Sequence, residues 1–221
     1  MLQHHPRLVI NAGILAVGML TSMAAYSGVF AGYESDSQDT RLLFVGGQTQ
    51  KDVFLHFFAA NLEYEYLDGA TLTRVENKIL NLALGFRFGS HNNYSFLIGP
   101  GYNDKHEQTP VAETDEQRTG AFYQFGANAT VAGSQYEFLS SYTSLDRFIW
   151  SRGRYKTHIS AACSAGAELF WMGNDDGDSW GGGVLVEYSA ALASLGIKAG
   201  YKRSTNDESG SYLGLEAYFP F

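Results

Sequence analysis

The chain has 221 residues, one cysteine and a formal charge of −8 at neutral pH. A single cysteine excludes an internal disulfide and a multi-cysteine zinc site, the acidic balance argues against nucleic acid as a partner, and the length suits one domain. Glycine (25 residues) and aromatics (14%) are abundant and proline (four residues) is scarce, a composition usual where strands bend and meet a bilayer interface.

At the amino-terminus, Arg7 precedes an apolar stretch from Leu8 to about Ala25, with small-residue cleavage patterns at Ser22-Met23-Ala24, Met23-Ala24-Ala25 and Val29-Phe30-Ala31. This reads as a secretory signal peptide over residues 1–25, removed to leave residues 26–221. The cleavage site stays open among Ala24, Ala25 and Ala31. Asn11, Gly13, Gly18, Thr21 and Ser22 make the stretch a poor permanent anchor. Nothing after Ala31 approaches the ~18 consecutive apolar residues that a spanning helix needs. A mature chain that lives in a membrane would therefore cross it as strands.

Alternation at period two then recurs along the chain. Leu80, Leu82, Leu84, Phe86 and Phe88 oppose Asn81, Ala83, Gly85 and Arg87. Ala121, Tyr123, Phe125, Ala127, Ala129 and Val131 oppose Gly120, Phe122, Gln124, Gly126, Asn128 and Thr130. The odd residues from Ile159 to Trp171, with Cys163 among them, oppose Ser160, Ser164 and Glu168, and Leu195, Ile197, Ala199 and Tyr201 oppose Lys198 and Lys202. A barrel wall alternates lipid-facing and lumen-facing residues in this way. In the last segment Leu213, Leu215, Ala217, Phe219 and Phe221 share one face. A terminal aromatic that closes such a strand resembles the closing strand of bacterial outer-membrane barrels.

Connections alternate in length. Long polar ones are expected at Leu67–Thr73, Asn103–Gln117, Met172–Ser179 and Arg203–Ser209, short ones at Thr49–Asp52, Gly89–Asn92, Ala132–Ser134, Thr157–His158 and Ala190–Leu192. External loops and periplasmic turns of outer-membrane barrels follow that rule. A free periplasmic amino-terminus requires an even strand count, which predicts a first strand at Ser27–Ser35. The expected fold is all-β: a closed antiparallel transmembrane β-barrel of about twelve strands, with ten as the fallback. The competing architecture is a soluble lipocalin-like barrel or β-sandwich, and the signal sequence with Phe221 decides against it.

The polar faces carry both signs of charge. Glu63, Glu65, Glu168, Glu187 and Glu216 against Arg87, Arg154, Lys198 and Lys202 predict a charge-compensated lumen rather than a carboxylate pair for sugar hydrolysis. His56 alternates with Phe54 and Phe58, which places it in an interface girdle. His158 and Ser160 share a strand face and resemble the His-x-Ser of outer-membrane phospholipases and lipid A deacylases. They fall at a periplasmic turn with no matching carboxylate or Asn, and an ordinary turn is the expectation there. Asn174-Asp175-Asp176-Gly177-Asp178 lacks the spaced ligands of a calcium loop and reads as a solvated loop. Tyr64, Tyr66, Tyr94, Tyr102, Tyr142, Trp150, Trp171, Trp180, Tyr188, Tyr201, Tyr212 and Tyr218 fall near strand ends, as interface aromatics do, and a few are suited to stack on sugar rings.

Several segments, in order, resemble the cellulose biosynthesis protein BcsS family: Gly32-Tyr33-Glu34-Ser35-Asp36-Ser37, Tyr64-Glu65-Tyr66, Gly85-Phe86-Arg87-Phe88, Gly101-Tyr102-Asn103-Asp104 with His106 and Thr109-Pro110, Arg118 with Gly120, Ser141-Tyr142-Thr143, Trp150-Ser151-Arg152 with Arg154, and Gly166-Ala167-Glu168 before Gly173-Asn174. The resemblance implies an outer-membrane accessory to cellulose or exopolysaccharide secretion, with no catalytic residue, metal or cofactor. Its partners would be outer-membrane lipid, lipopolysaccharide, and a glucan or a polysaccharide secretion complex. Tyr102, Arg118, Trp150, Arg152, Arg154, Glu168, Trp171 and Trp180 are the expected polysaccharide contacts or lumen-setters. The alternatives are a small porin or passive structural barrel, and an outer-membrane lipid hydrolase using His158 and Ser160.

Overall fold

Side chains of a strand point alternately to its two faces, so a sequence apolar at every second position can wall off lipid on one side and carry charge on the other. The structure, a computed structural model, describes residues 26–37, 41–49, 53–68, 71–89, 93–145, 147–175, 177–204 and 209–220. Twelve strands follow one another: β1 (Tyr26–Asp36), β2 (Arg41–Thr49), β3 (Val53–Asp68), β4 (Thr71–Phe88), β5 (Asn93–Gln108), β6 (Glu113–Val131), β7 (Ser134–Thr143), β8 (Ile149–His158), β9 (Cys163–Asn174), β10 (Gly177–Ser189), β11 (Ser194–Ser204) and β12 (Ser209–Pro220). Each pairs antiparallel with its neighbours, and β12 returns to β1 with Ala31 opposite Ala217 and Tyr33 opposite Leu215. The even count, the first strand near Ser27–Ser35 and the closed antiparallel barrel are all as the sequence predicts. The signal-peptide segment 1–25 and the terminal Phe221 lie outside the described residues.

The barrel is inside-out relative to a soluble one. On β11, Ile197 is 58% exposed while the adjacent Lys198 is 3% exposed. On β4, Leu82, Leu84, Phe86 and Phe88 face outward and Asn81 and Ala83 are buried. Aromatic rings band the outside near the short-turn end, where Phe88 stacks on Tyr94 at 5.7 Å and Tyr94 on Phe125 at 6.4 Å. Toward the other end Tyr123 stacks on Tyr142 at 6.4 Å.

Three of the expected long connections are mostly strand. The β5–β6 ladder continues to Gln108 opposite Glu113, and the β3–β4 ladder to Asp68 opposite Thr71. Likewise β9 and β10 pair as far as Asn174 and Gly177. Above the bilayer both faces of a sheet meet water, so polar residues there are compatible with a paired strand. The residual β5–β6 turn is tight, with Thr109 N donating to Ala112 O at 2.8 Å. At the other end, Thr157 and His158 finish β8, and the turn is Ile159–Ala162, whose Ile159 and Ser160 amides both donate to Cys163 O. Ile159 and Ala161 therefore leave the lipid-facing series, which begins at the half-buried Cys163.

The connection between β7 and β8 folds inward. Leu145 and Phe148 are 3% and 6% exposed, and Phe148 joins Leu42, Leu62, Ile79, Phe170 and Met172 in an apolar core inside the barrel mouth. Gly120 on β6 makes room for this plug: a Cβ there would lie 2.4 Å from Ser144 Oγ and 2.9 Å from Leu145. Ser144 fastens the loop by accepting from Ala121 N through its Oγ and donating its own N–H to Ala121 O, both at 2.9 Å.

Candidate functional site

Below the plug, inward positions of six strands meet in one ion-pair network. Period two on β8 sends both Arg152 and Arg154 into the lumen, where each is buried. Arg154 Nε donates to Glu168 Oε2 at 2.8 Å, its Nη1 donates to Glu216 Oε2 at 2.7 Å, and its Nη2 reaches Glu216 Oε1. Arg152 pairs with Glu137 of β7 and, at 3.4 Å, with Glu216. Lys198 Nζ lies 2.6 Å from Glu34, 3.4 Å from Glu168 and 3.5 Å from Glu216. Tyr212 OH donates to Glu168 Oε1 at 2.8 Å, and Lys202 pairs with Asp36 on the plug side. Buried charges persist only when paired and hydrogen-bonded, because each has lost its water. The network meets that condition by bridging the lumen from β8 to β12.

Of the expected site residues, the structure brings together Arg152, Arg154 and Glu168, with Trp150 beside them: the Arg152 guanidinium lies 5.2 Å from the Trp150 ring centroid. Tyr102 is on the outer side of β5, opposite Leu80 of β4. Arg118 stands exposed near the far end of β6, paired with Glu116 at 2.5 Å. Trp171 and Trp180 oppose each other on the outside of β9 and β10, and Trp171 Nε1 donates to Asp178 Oδ2 at 3.2 Å. These four do not join the lumenal cluster.

Other residues move from their expected places. Tyr212 is lumenal, not interfacial, because alternation on β12 turns it inward; Trp150, expected both among strand-end aromatics and among the lumen-setters, also faces inward. Glu63 pairs with Arg74 at 3.4 Å instead of joining the lumenal carboxylates; the side chain of Glu65, like those of Tyr64 and Tyr66, lies outside the described residues. His56 is inside the barrel, with the Phe30 ring 5.7 Å and the Phe122 ring 6.5 Å away. His158 Nδ1 lies 3.0 Å from Ser164 Oγ, not against Ser160 as the lipid-hydrolase alternative would need; Ser160 Oγ caps its own turn by accepting from Ala162 N. Asn174 Oδ1 accepts from Gly177 N in a tight turn; Asp176 lies outside the described residues. Among the described residues no three His, Cys, Asp or Glu side chains converge as a metal site.

Sequence reasoning did not single out Glu34 or Glu137 as lumenal, whereas Gln124 stands on the face it assigned to the lumen. Glu137 was within reach, since it alternates with Leu139, Ser141 and Thr143 on a strand whose other face is Tyr136 and Phe138. Beside the network the lumen holds a cavity of about 330 Å³, bounded by Phe54, His56, Arg87, Gln124, Trp150 and the two arginines Arg152 and Arg154.

Two solved structures share this architecture. The translocator domain of the autotransporter NalP from Neisseria meningitidis is 10% identical, with 98% of this chain and 96% of that one covered at a TM-score of 0.52. The CymD monoaromatic hydrocarbon channel is 6% identical, with 94% and 92% covered at a TM-score of 0.51. These likenesses concern the fold. No curated protein matches the chain significantly. Closure, an apolar outside and a charged inside place the barrel in the bacterial outer membrane. The family model described as cellulose biosynthesis protein BcsS matches residues 21–221, and the chain belongs to that family.

Proposed function

We propose that the chain is a non-enzymatic accessory to cellulose export that acts from the outer membrane without passing the polymer through its own lumen. The observation that carries this reading is the occlusion of the lumen at two levels. Leu145 and Phe148 fill the mouth on one side, and Arg154 spans from Glu168 to Glu216 below them. A glucan chain threading the barrel would have to displace an apolar core and separate ion pairs that have no water to replace them. The barrel serves instead as a fixed platform for the export machinery or for the polymer end.

The test is extracellular cellulose from a clean deletion strain beside a complemented one, with glucan synthase activity measured in isolated membranes. Reduced exported polymer with synthase activity retained supports the reading. Unchanged polymer, or equal loss of synthase activity, overturns it.

A further inference from the structure

We infer that the lumenal cavity beside the ion-pair network is a binding site for the end of a β-linked glucan, one or two glucosyl rings long. The inference deepens the proposed function and rests on it for the identity of the polymer. The cavity reaches Ser194, Ala217 and Tyr218, near the end of the barrel that carries the start of β1 and the end of β12, the periplasmic end of an outer-membrane barrel. Its lining runs past Arg152 and Arg154 to Leu42 and Trp150, which pack in the apolar core of the plug, so it receives a chain end and does not conduct one.

Two buried polar atoms on its wall lack the partners that buried groups require, and a partly exposed guanidinium lies near them. His56 is 6% exposed, its ring has Gln124 as hydrogen-bonding neighbour, and its Nδ1 finds no protein partner. Arg152 is bonded through both terminal nitrogens, yet its Nε finds none. Arg87 lies 5.0 Å over the Phe54 ring, and among the described residues no carboxylate pairs with it. All three line the same cavity, whose remaining wall combines the aromatic rings of Phe30, Phe44, Phe54, Phe58 and Trp150 with polar and charged side chains.

A pyranose ring presents apolar C–H faces and a rim of hydroxyl groups that both donate and accept. The faces suit Phe54 and Trp150, and the rim suits His56, Gln124, Arg87 and Arg152 Nε. A free anion suits the cavity less well, because Glu137, Glu187 and Glu216 also line it. A volume of about 330 Å³ falls at the small end of the ~300–1,000 Å³ range of ligand pockets, which limits the occupant to a short oligosaccharide end.

The experiment is a titration of the detergent-solubilised full barrel with cellobiose and cellotriose, by calorimetry and by Trp150 fluorescence in a W171F/W180F background, with acetate and phosphate as anionic controls. Saturable cellotriose binding is expected, weakened about tenfold in both His56→Phe and Arg87→Leu, each of which leaves a hydroxyl without its partner. Two variants are used so that one remains informative if the other does not fold, with folding checked by the heat-dependent shift in gel mobility. No saturable cellotriose signal, or tighter binding of acetate or phosphate, overturns the inference. A non-binding, folded variant that restores full export to the deletion strain supports the site as a glucan-binding site, shows that export does not need it, and leaves the proposed function intact. Saturable, His56-dependent binding together with unchanged export in the deletion strain supports the site and ends the proposed function.

Discussion

Arg154 on β8 and Glu216 on β12 are 62 residues apart in the chain and meet across the lumen, with Nη1 donating to Oε2 at 2.7 Å. The same guanidinium holds Glu168 on β9, whose side chain is 1% exposed. Arg154→Met should therefore destabilise the barrel by about 3–5 kcal/mol, the cost of leaving a buried charge uncompensated. The double variant R154M/E168M, which removes both charges of a deeply buried pair, should recover part of that loss. Unfolding of the refolded variants in denaturant, in lipid or detergent, measures both. A double variant weaker than R154M by a full additive increment would contradict the pairing.

The two closures of the lumen are in series, and conductance should report them jointly. The native chain, L145A/F148A and R152S/R154S should each leave a planar bilayer silent. The quadruple variant should conduct. Steady native channels would show that the plug and the ion pairs do not occlude the lumen.

Glycine at position 99 is a steric requirement of the wall. The β4–β5 register runs through Asn81 opposite Gly101 and Leu84 opposite Ile98, and skips the residues between. Pro100 has no amide to donate there, and a Cβ on Gly99 would lie 1.8 Å from Leu82 O. Gly99→Val should abolish assembly. Gly153→Val, where a Cβ meets nothing within 4 Å, should assemble normally. Heat-modifiable mobility of membrane-extracted protein separates the two outcomes.

The lipid-facing assignment can be tested one residue at a time. Ile197→Arg sets a charge on the outer face of β11 and should cost about 2–4 kcal/mol if the site lies near the bilayer midplane. Ile197→Ala should be far milder. Equal effects of the two substitutions would place that face against protein or water.

Legibility in the sequence was uneven, for a physical reason. Where one face meets lipid and the other a charged lumen, as on β11, contrast between neighbours such as Ile197 and Lys198 reveals the strand, its register and its orientation. Above the bilayer that contrast disappears, so the continuation of β5 and β6 around Asn103–Gln117 reads as a loop although its ladder is unbroken. The lumenal site was half visible. Arg152, Arg154 and Glu168 stand out as inward charges, but their meeting with Glu137, Glu216 and Glu34 depends on barrel closure, which a one-dimensional pattern does not encode. His56 was placed on the wrong side because its neighbours Phe54 and Phe58 are apolar. That face lines an aromatic part of the lumen, and hydropathy alone does not tell such a surface from lipid.

The unbroken β5–β6 ladder has a mechanical consequence. β6 has 19 residues, whereas a spanning strand needs about 9–11. The surplus of roughly eight residues, at about 3.3 Å each, rises some ~20 Å beyond the hydrocarbon once strand tilt is allowed for. A paired ribbon of that length is a strut, not a tether. Whatever touches the turn between Thr109 and Ala112 is held off the cell surface at a set distance and angle, and force applied there is transmitted to the wall of the barrel.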